Sequence, residues 1–202
     1  MNTFLFGNAK SKAEVIARIA IMAALTILVQ YLTGLAGIQL LTGSFVNLFL
    51  LLTALLTGLV GGVVVGIITP FIGLLLGLAP TLAVVPFIAL SNAAYTVLFC
   101  LICKVLGYSS QKTAWKRIVT LVIGVVVGAV VKFFLMLFFA QVLFPLFLGE
   151  KLVTALSKAW GVLQLFTALI GGAVAIVLSI PLKKLHLMPV ETDFEDGESA
   201  ND

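Results

Sequence analysis

The sequence predicts an all-α integral membrane protein of six transmembrane helices with both termini cytoplasmic. Three observations predict it. Hydrophobic residues make up 62% of the 202 and charged residues only 10%. Mean hydropathy is +1.26, so the solvent for most of the chain is lipid. The basic residues gather in short segments between the apolar runs, as loops on one side of a membrane do. The net charge of +4 is therefore a topology signal. It is no sign of a nucleic-acid partner, because the basic residues are scattered along loop edges and form no stripe.

Residues 1–11 read as a loose cytoplasmic lead-in, and Ser11-x-x-Glu14 is a capping-box pattern that starts helix 1. The apolar run from Ile16 to Leu35 is long enough to span, and no small-residue cleavage pattern follows a shorter core, so it is not read as a cleavable signal. Ala13, Ala17, Ala20 and Ala24 recur at spacings of four, three and four and share one face. Such a strip lets another helix approach closely, either within the same bundle or in a partner.

Gly34 to Ser44, with three glycines and polar Gln39, Thr42 and Ser44, is expected to be a partly inserted outer loop. A short helix 2 from Phe45 to Thr57 and a tight inner turn at 58–62 follow. Helix 3 carries Gly62-x-x-x-Gly66 and Gly73-x-x-x-Gly77 as packing glycines, with Pro70 expected to kink it. Leu78 to Pro86 reads as a second outer loop, and helix 4 runs on to Lys104 with Ser91, Asn92 and Tyr95. Cys100 and Cys103 lie inside that helix without a second pair, so they read as membrane-buried thiols and not as a metal or redox site.

The polar segment from Gly107 to Arg117 precedes helix 5, which extends from Ile118 to about Pro145. Gly149 to Lys158 is an amphipathic connector, and helix 6 runs from Trp160 to Pro181. The membrane domain thus covers 12–184, and 185–202 form an acidic tail expected to be disordered. This topology places Lys10, Lys12, Arg18, Lys104, Lys112, Lys116, Arg117, Lys183 and Lys184 inside and only Lys151 and Lys158 outside. The asymmetry obeys the positive-inside rule. No internal repeat or pair of broken helices marks a self-sufficient secondary transporter.

The remaining cation, Lys132, sits near the middle of the apolar run of helix 5, too deep to snorkel easily to either interface. All eight acidic residues, Glu14, Glu150, Glu191, Asp193, Glu195, Asp196, Glu198 and Asp202, lie outside the apolar runs. A central lysine costs roughly 2.5 to 3.5 kcal/mol to insert, and no internal ion pair offsets it. Three readings stand: a neutral lysine held by backbone carbonyls or water, a cationic anchor for an anionic ligand, and a pair with a partner subunit's carboxylate.

Counting turns brings Tyr95 of helix 4 to the depth of Lys132. Asn92 shares its face, and Trp160, Gln164 and Thr167 follow an i, i+4, i+7 pattern inward along helix 6. Lys132, Asn92, Tyr95, Trp160, Gln164 and Thr167, with Gln39 and Thr42 of the first outer loop, are the candidate substrate-binding residues. Each also has a plain reading as a core aromatic or an interhelical hydrogen-bonder. The spans offer no carboxylate and no histidine, which disfavours an enzyme, a metal site and proton-coupled transport; no cofactor is expected.

About 200 residues, six spans, Ala20-x-x-x-Ala24 on helix 1 and a Gly-rich first outer loop together resemble the substrate-binding (S) components of energy-coupling factor (ECF) transporters. The likeness covers residues 12–184. It implies a bacterial-type plasma-membrane protein that captures a vitamin toward its outer face for ATP-driven uptake. It further implies that Ala17, Ala20 and Ala24 dock on a shared transmembrane coupling subunit driven by two cytoplasmic ATPases. No vitamin-specific signature is present. Lys132 points to an anionic ligand with an apolar body, of the type of pantothenate, niacin, biotin or lipoate, in surroundings expected to be Phe-rich. A stand-alone permease and a non-transporting membrane assembly protein are the alternatives.

Overall fold

The computed structural model describes residues 3–6, 11–78, 81–111 and 113–184, and these are helical without strands. The expected acidic tail, with His186, lies outside the described residues, as do Lys10 and Lys112. The elements are α1 (Thr3–Phe6), α2 (Lys12–Leu35), α3 (Gln39–Leu75), α4 (Val85–Val105), α5 (Ala114–Phe138), α6 (Glu150–Ala159) and α7 (Val162–Lys184). Five segments are long and apolar enough to cross a membrane, 12–35, 39–75, 82–105, 114–146 and 150–182. The protein is a multi-pass integral membrane protein.

Ser11 caps α2 as the sequence indicates, its Oγ accepting from the Glu14 amide at 3.2 Å. The lead-in before it is not wholly loose. Thr3–Phe6 form a helical turn, and Phe4 packs on the core with the Lys104 ammonium 4.3 Å from its ring centre.

The segment expected to be a first outer loop is shorter than expected. Only residues 36–38 leave helical structure, with Gly37 at φ 68°, and Gln39, Thr42, Gly43 and Ser44 belong to the first turns of α3. The expected helices 2 and 3 are one hydrogen-bonded element, and the turn between them is reduced to Gly58, at φ 70° and ψ −168°. That backbone region is open essentially only to glycine. The chain doubles back there: a Cβ on Gly62 would lie 2.9 Å from that of Ala54, whereas eight residues of straight helix separate two atoms by about 12 Å. The arms, 39–57 and 59–75, rise about 28 and about 26 Å at 1.5 Å per residue, close to the thickness of a bilayer core. Arg18 secures the bend. Its Nη1 donates to the Leu56 carbonyl at 3.2 Å, two residues before Gly58, and its Nη2 meets Glu14 at 2.5 Å. Pro70 breaks nothing; the backbone stays helical through it.

α3 is the hub, packed against α2, α4 and α7, while α5 closes the bundle between α4 and α7. Of the expected packing glycines, Gly62, Gly66 and Gly73 serve that closeness; Gly77 does not, lying beyond the end of α3 at φ 74° with nothing against it. Gly66 lies against Asn92, whose Cβ is 3.3 Å from the position a Gly66 Cβ would take, and Gly128 of α5 lies against the Tyr95 ring in the same way at 2.8 Å. The α2 alanines do not share this role. Ala13, Ala17, Ala20 and Ala24 are exposed, together with Ile16, Ile21 and Leu25, so packing within the bundle does not account for the strip.

α5 starts at Ala114 and runs on as a π turn, Phe139–Leu143, and a 3₁₀ turn, Phe144–Leu146, that contains Pro145. The amphipathic connector is the helix α6, with Glu150 in its first turn and Lys158 in its last, the arrangement that complements the helix dipole. Beside it Phe87, Phe139, Phe144 and Trp160 form an aromatic cluster, Phe144 meeting Trp160 edge-on at 4.9 Å.

Candidate functional site

Lys132 is only 2% exposed and does not snorkel. Two side-chain amides solvate it: its Nζ donates to Asn47 Oδ1 at 2.6 Å and to Asn92 Oδ1 at 2.7 Å. The Tyr95 ring lies beside the ammonium, its centre 5.4 Å away, within the range of a cation–π attraction. Both amides are themselves held. Asn47 Nδ2 donates to Thr167 Oγ1 at 3.3 Å, and Asn92 Nδ2 donates to the Gly66 carbonyl at 3.4 Å. With the amide hydrogens so engaged, the carbonyl oxygens face the lysine.

The supporting shell continues downward. Thr167 donates to the Gln164 carbonyl at 3.0 Å, and the Tyr95 hydroxyl donates to the Ala168 carbonyl at 3.0 Å. Asn47 comes from the first arm of α3, Asn92 and Tyr95 from α4, Lys132 from α5 and Thr167 from α7. Four elements therefore converge on one ammonium, which only the Gly58 reversal permits: Asn47 and Gly66 meet at one level although a straight helix would hold them about 28 Å apart.

Above this group opens a cavity of about 460 Å³. Among the described residues Lys132 is its only charged lining residue, and its floor is completed by Asn47 and Asn92. Val46, Ile88, Met136, Leu156 and Trp160 give it an apolar wall, and Gln30, Gln39, Thr42, Thr69 and Gln164 supply neutral polar groups. The amphipathic α6 roofs one side through Leu152, Ala155 and Leu156. An ammonium carries three donors, two of which the asparagines occupy.

Of the eight residues expected from sequence, Lys132, Asn92, Trp160, Gln164, Gln39 and Thr42 line this cavity. Tyr95 and Thr167 do not; both are fully buried beneath it, and they hold the lysine and its partner Asn47 in place. The Phe-rich surroundings exist in sequence more than in space, since Phe134 and Phe138 turn outward at 60% and 49% exposure. Asn47 is the main residue the sequence reading missed. It is a lone amide in an apolar run, and counting turns from the bend at Gly58, as done for Tyr95, would have put it at the lysine's depth.

A family model described as "ECF transporter, substrate-specific component" matches residues 14–183. The chain belongs to this family. No curated protein and no solved structure matches it. The S component is thus a substrate-binding subunit of a transporter, a role that requires a ligand cavity and no catalytic group. Its cavity is polar at the floor, apolar along the wall and lined by residues of six helices, α2 to α7, the form expected of a small-molecule site.

Proposed function

We propose that this S component captures a compact anionic nutrient, a vitamin or cofactor precursor with a carboxylate. It then passes that ligand inward through a coupling subunit driven by two cytoplasmic ATPases. The observation that carries the reading is Lys132 as the single charged group on the cavity among the described residues, with no carboxylate among them lining it to repel an anion. A carboxylate reaching its third donor gains a charge-assisted hydrogen bond in a partly dehydrated site. A cationic ligand meets repulsion there.

In this reading the chain crosses the plasma membrane six times, the two arms of α3 counting separately, with both termini cytoplasmic. Arg18, the Gly58 bend and Lys104 gather at one end, and Gly37 and Gly77 beside the cavity mark the other. The basic end faces inward by the positive-inside rule, so the cavity opens outward. The exposed alanines Ala17, Ala20 and Ala24 then present a smooth face to the coupling subunit.

The test is to identify the ligand by native mass spectrometry of protein purified from its host, then titrate wild type and Lys132→Met. One charge-assisted hydrogen bond contributes about 1.5 to 3 kcal/mol, so the variant should bind roughly ten- to a hundredfold more weakly. Equal affinities, or a cationic ligand, would overturn the reading. Purification in mild detergent should retain the coupling subunit and ATPases, an outcome that a stand-alone permease would not give.

A further inference from the structure

The cavity's polar groups are sorted by depth, and we infer from that sorting that the ligand is a linear monoanion whose far end is neutral and hydrogen-bonding. The inference rests on the proposed anion site at Lys132 and adds what lies at the other end. Lys132, Asn47 and Asn92 share one level through their hydrogen bonds. Along the first arm of α3, Thr42 is then roughly 7.5 Å and Gln39 roughly 12 Å nearer the mouth than Asn47, at 1.5 Å per residue. On the second arm Gly73 is about 10.5 Å beyond Gly66, and the position a Gly73 Cβ would take is 2.7 Å from Nε2 of Gln30. Gln30, Gln39 and Thr42 therefore form an upper polar tier about 8 to 12 Å above the level of Asn47 along the helix axes; apolar Val46, Ile88 and Met136 line the same cavity, as do polar Gln164 and Thr69, whose hydroxyl proton goes to the Val65 carbonyl at 2.8 Å.

The chemistry of the two tiers differs. The floor offers one positive charge already facing two carbonyl oxygens, so it suits one anionic group and leaves a second negative charge unpaired. Among the described residues the upper tier holds no carboxylate that would stabilise an ammonium and no cation for a second anion. It offers amides, which donate and accept, and the Thr42 hydroxyl, whose proton goes to the Ile38 carbonyl at 3.3 Å and whose lone pairs stay open. An amide or hydroxyl on the ligand satisfies this tier. Zwitterions, dianions and plain fatty acids each leave part of the cavity unsatisfied. Gln30 and Thr42 are thus specificity-determining residues, distinct from the anion anchor.

The test uses four probes of similar length: 6-acetamidohexanoate, octanoate, 6-aminohexanoate and suberate. Trp160 lines the cavity and Trp115 is 70% exposed, so binding is read from Trp160 fluorescence in a Trp115→Phe background. The acetamido acid should bind about tenfold more tightly than each of the others, the gain expected from one or two neutral hydrogen bonds. Gln30→Leu and Thr42→Val should each narrow its preference over octanoate to about threefold or less, the loss of a single such bond. Lys132→Met should weaken both probes together. Octanoate or suberate binding as well as the acetamido acid overturns the inference, as does a preference that survives both upper-tier variants, or the absence of saturable acetamido-acid binding at millimolar concentration. If Lys132→Met leaves every carboxylate unchanged, the anion site itself falls; if it weakens all four but no tail preference exists, only the two-tier inference falls.

Discussion

Nζ of Lys132 lies 2.6 Å from Oδ1 of Asn47, a residue 85 positions earlier in the chain. This contact joins α5 to the first arm of α3 and turns a costly buried cation into the floor of a cavity. Its strength is separable from ligand binding. Asn47→Leu leaves the ammonium short of one acceptor and should destabilise the protein by about 1 to 3 kcal/mol. The double variant Asn47→Leu with Lys132→Met should be more stable than Asn47→Leu alone, because removing the charge removes the need for its partner. Unfolding in detergent checks both; strictly additive losses would show that the pair is not coupled.

The bend at Gly58 should tolerate no other residue. At φ 70° and ψ −168° a side chain is strained by about 1 to 3 kcal/mol, so Gly58→Ala should lower the melting temperature in detergent. Ligand affinity should fall with it, since both amides at the lysine depend on the reversal. A variant with unchanged melting would mean that the bend relaxes without cost.

Ala20→Trp and Ala24→Trp change exposed positions on α2, so the fold and the cavity should be unaffected. A bulky indole on that face should block assembly with the coupling subunit while leaving ligand titration intact. Full ATP-dependent uptake by both variants in reconstituted vesicles would remove the strip from the docking surface.

Orientation is tested with single cysteines in a background carrying Cys100→Ala and Cys103→Ala. Ala36→Cys, in the connector between α2 and α3, should react with an impermeant thiol reagent in intact cells, and Ser110→Cys should be protected until the membrane is opened. Both native positions are exposed. The reverse pattern would invert the topology and place the cavity on the cytoplasmic side.

Amino-acid order by itself determined the solvent, the helical class and the odd residue. With 62% hydrophobic residues the chain must bury its backbone polar groups in helices, and Lys132 stands out because nothing acidic shares its depth. Local signals also sufficed for the Ser11 cap and for Gly62, Gly66 and Gly73 as packing glycines, but not for Gly77, which ends α3 at positive φ with nothing packed on it. Helix periodicity anticipated Asn92 and Gln164 on the cavity, but it put Tyr95 and Thr167 beside them on the same faces, and these lie buried off the cavity. Tertiary structure decided the rest. Whether an amide lines the cavity or supports it depends on which helix lies opposite, and Asn47 reaches Lys132 only because Gly58 reverses α3. The same reversal brings Gly66 level with Asn92, and the packing of α2 leaves its alanines bare. These relationships join residues far apart in the chain, so no local period or propensity records them; they follow from how the helices meet.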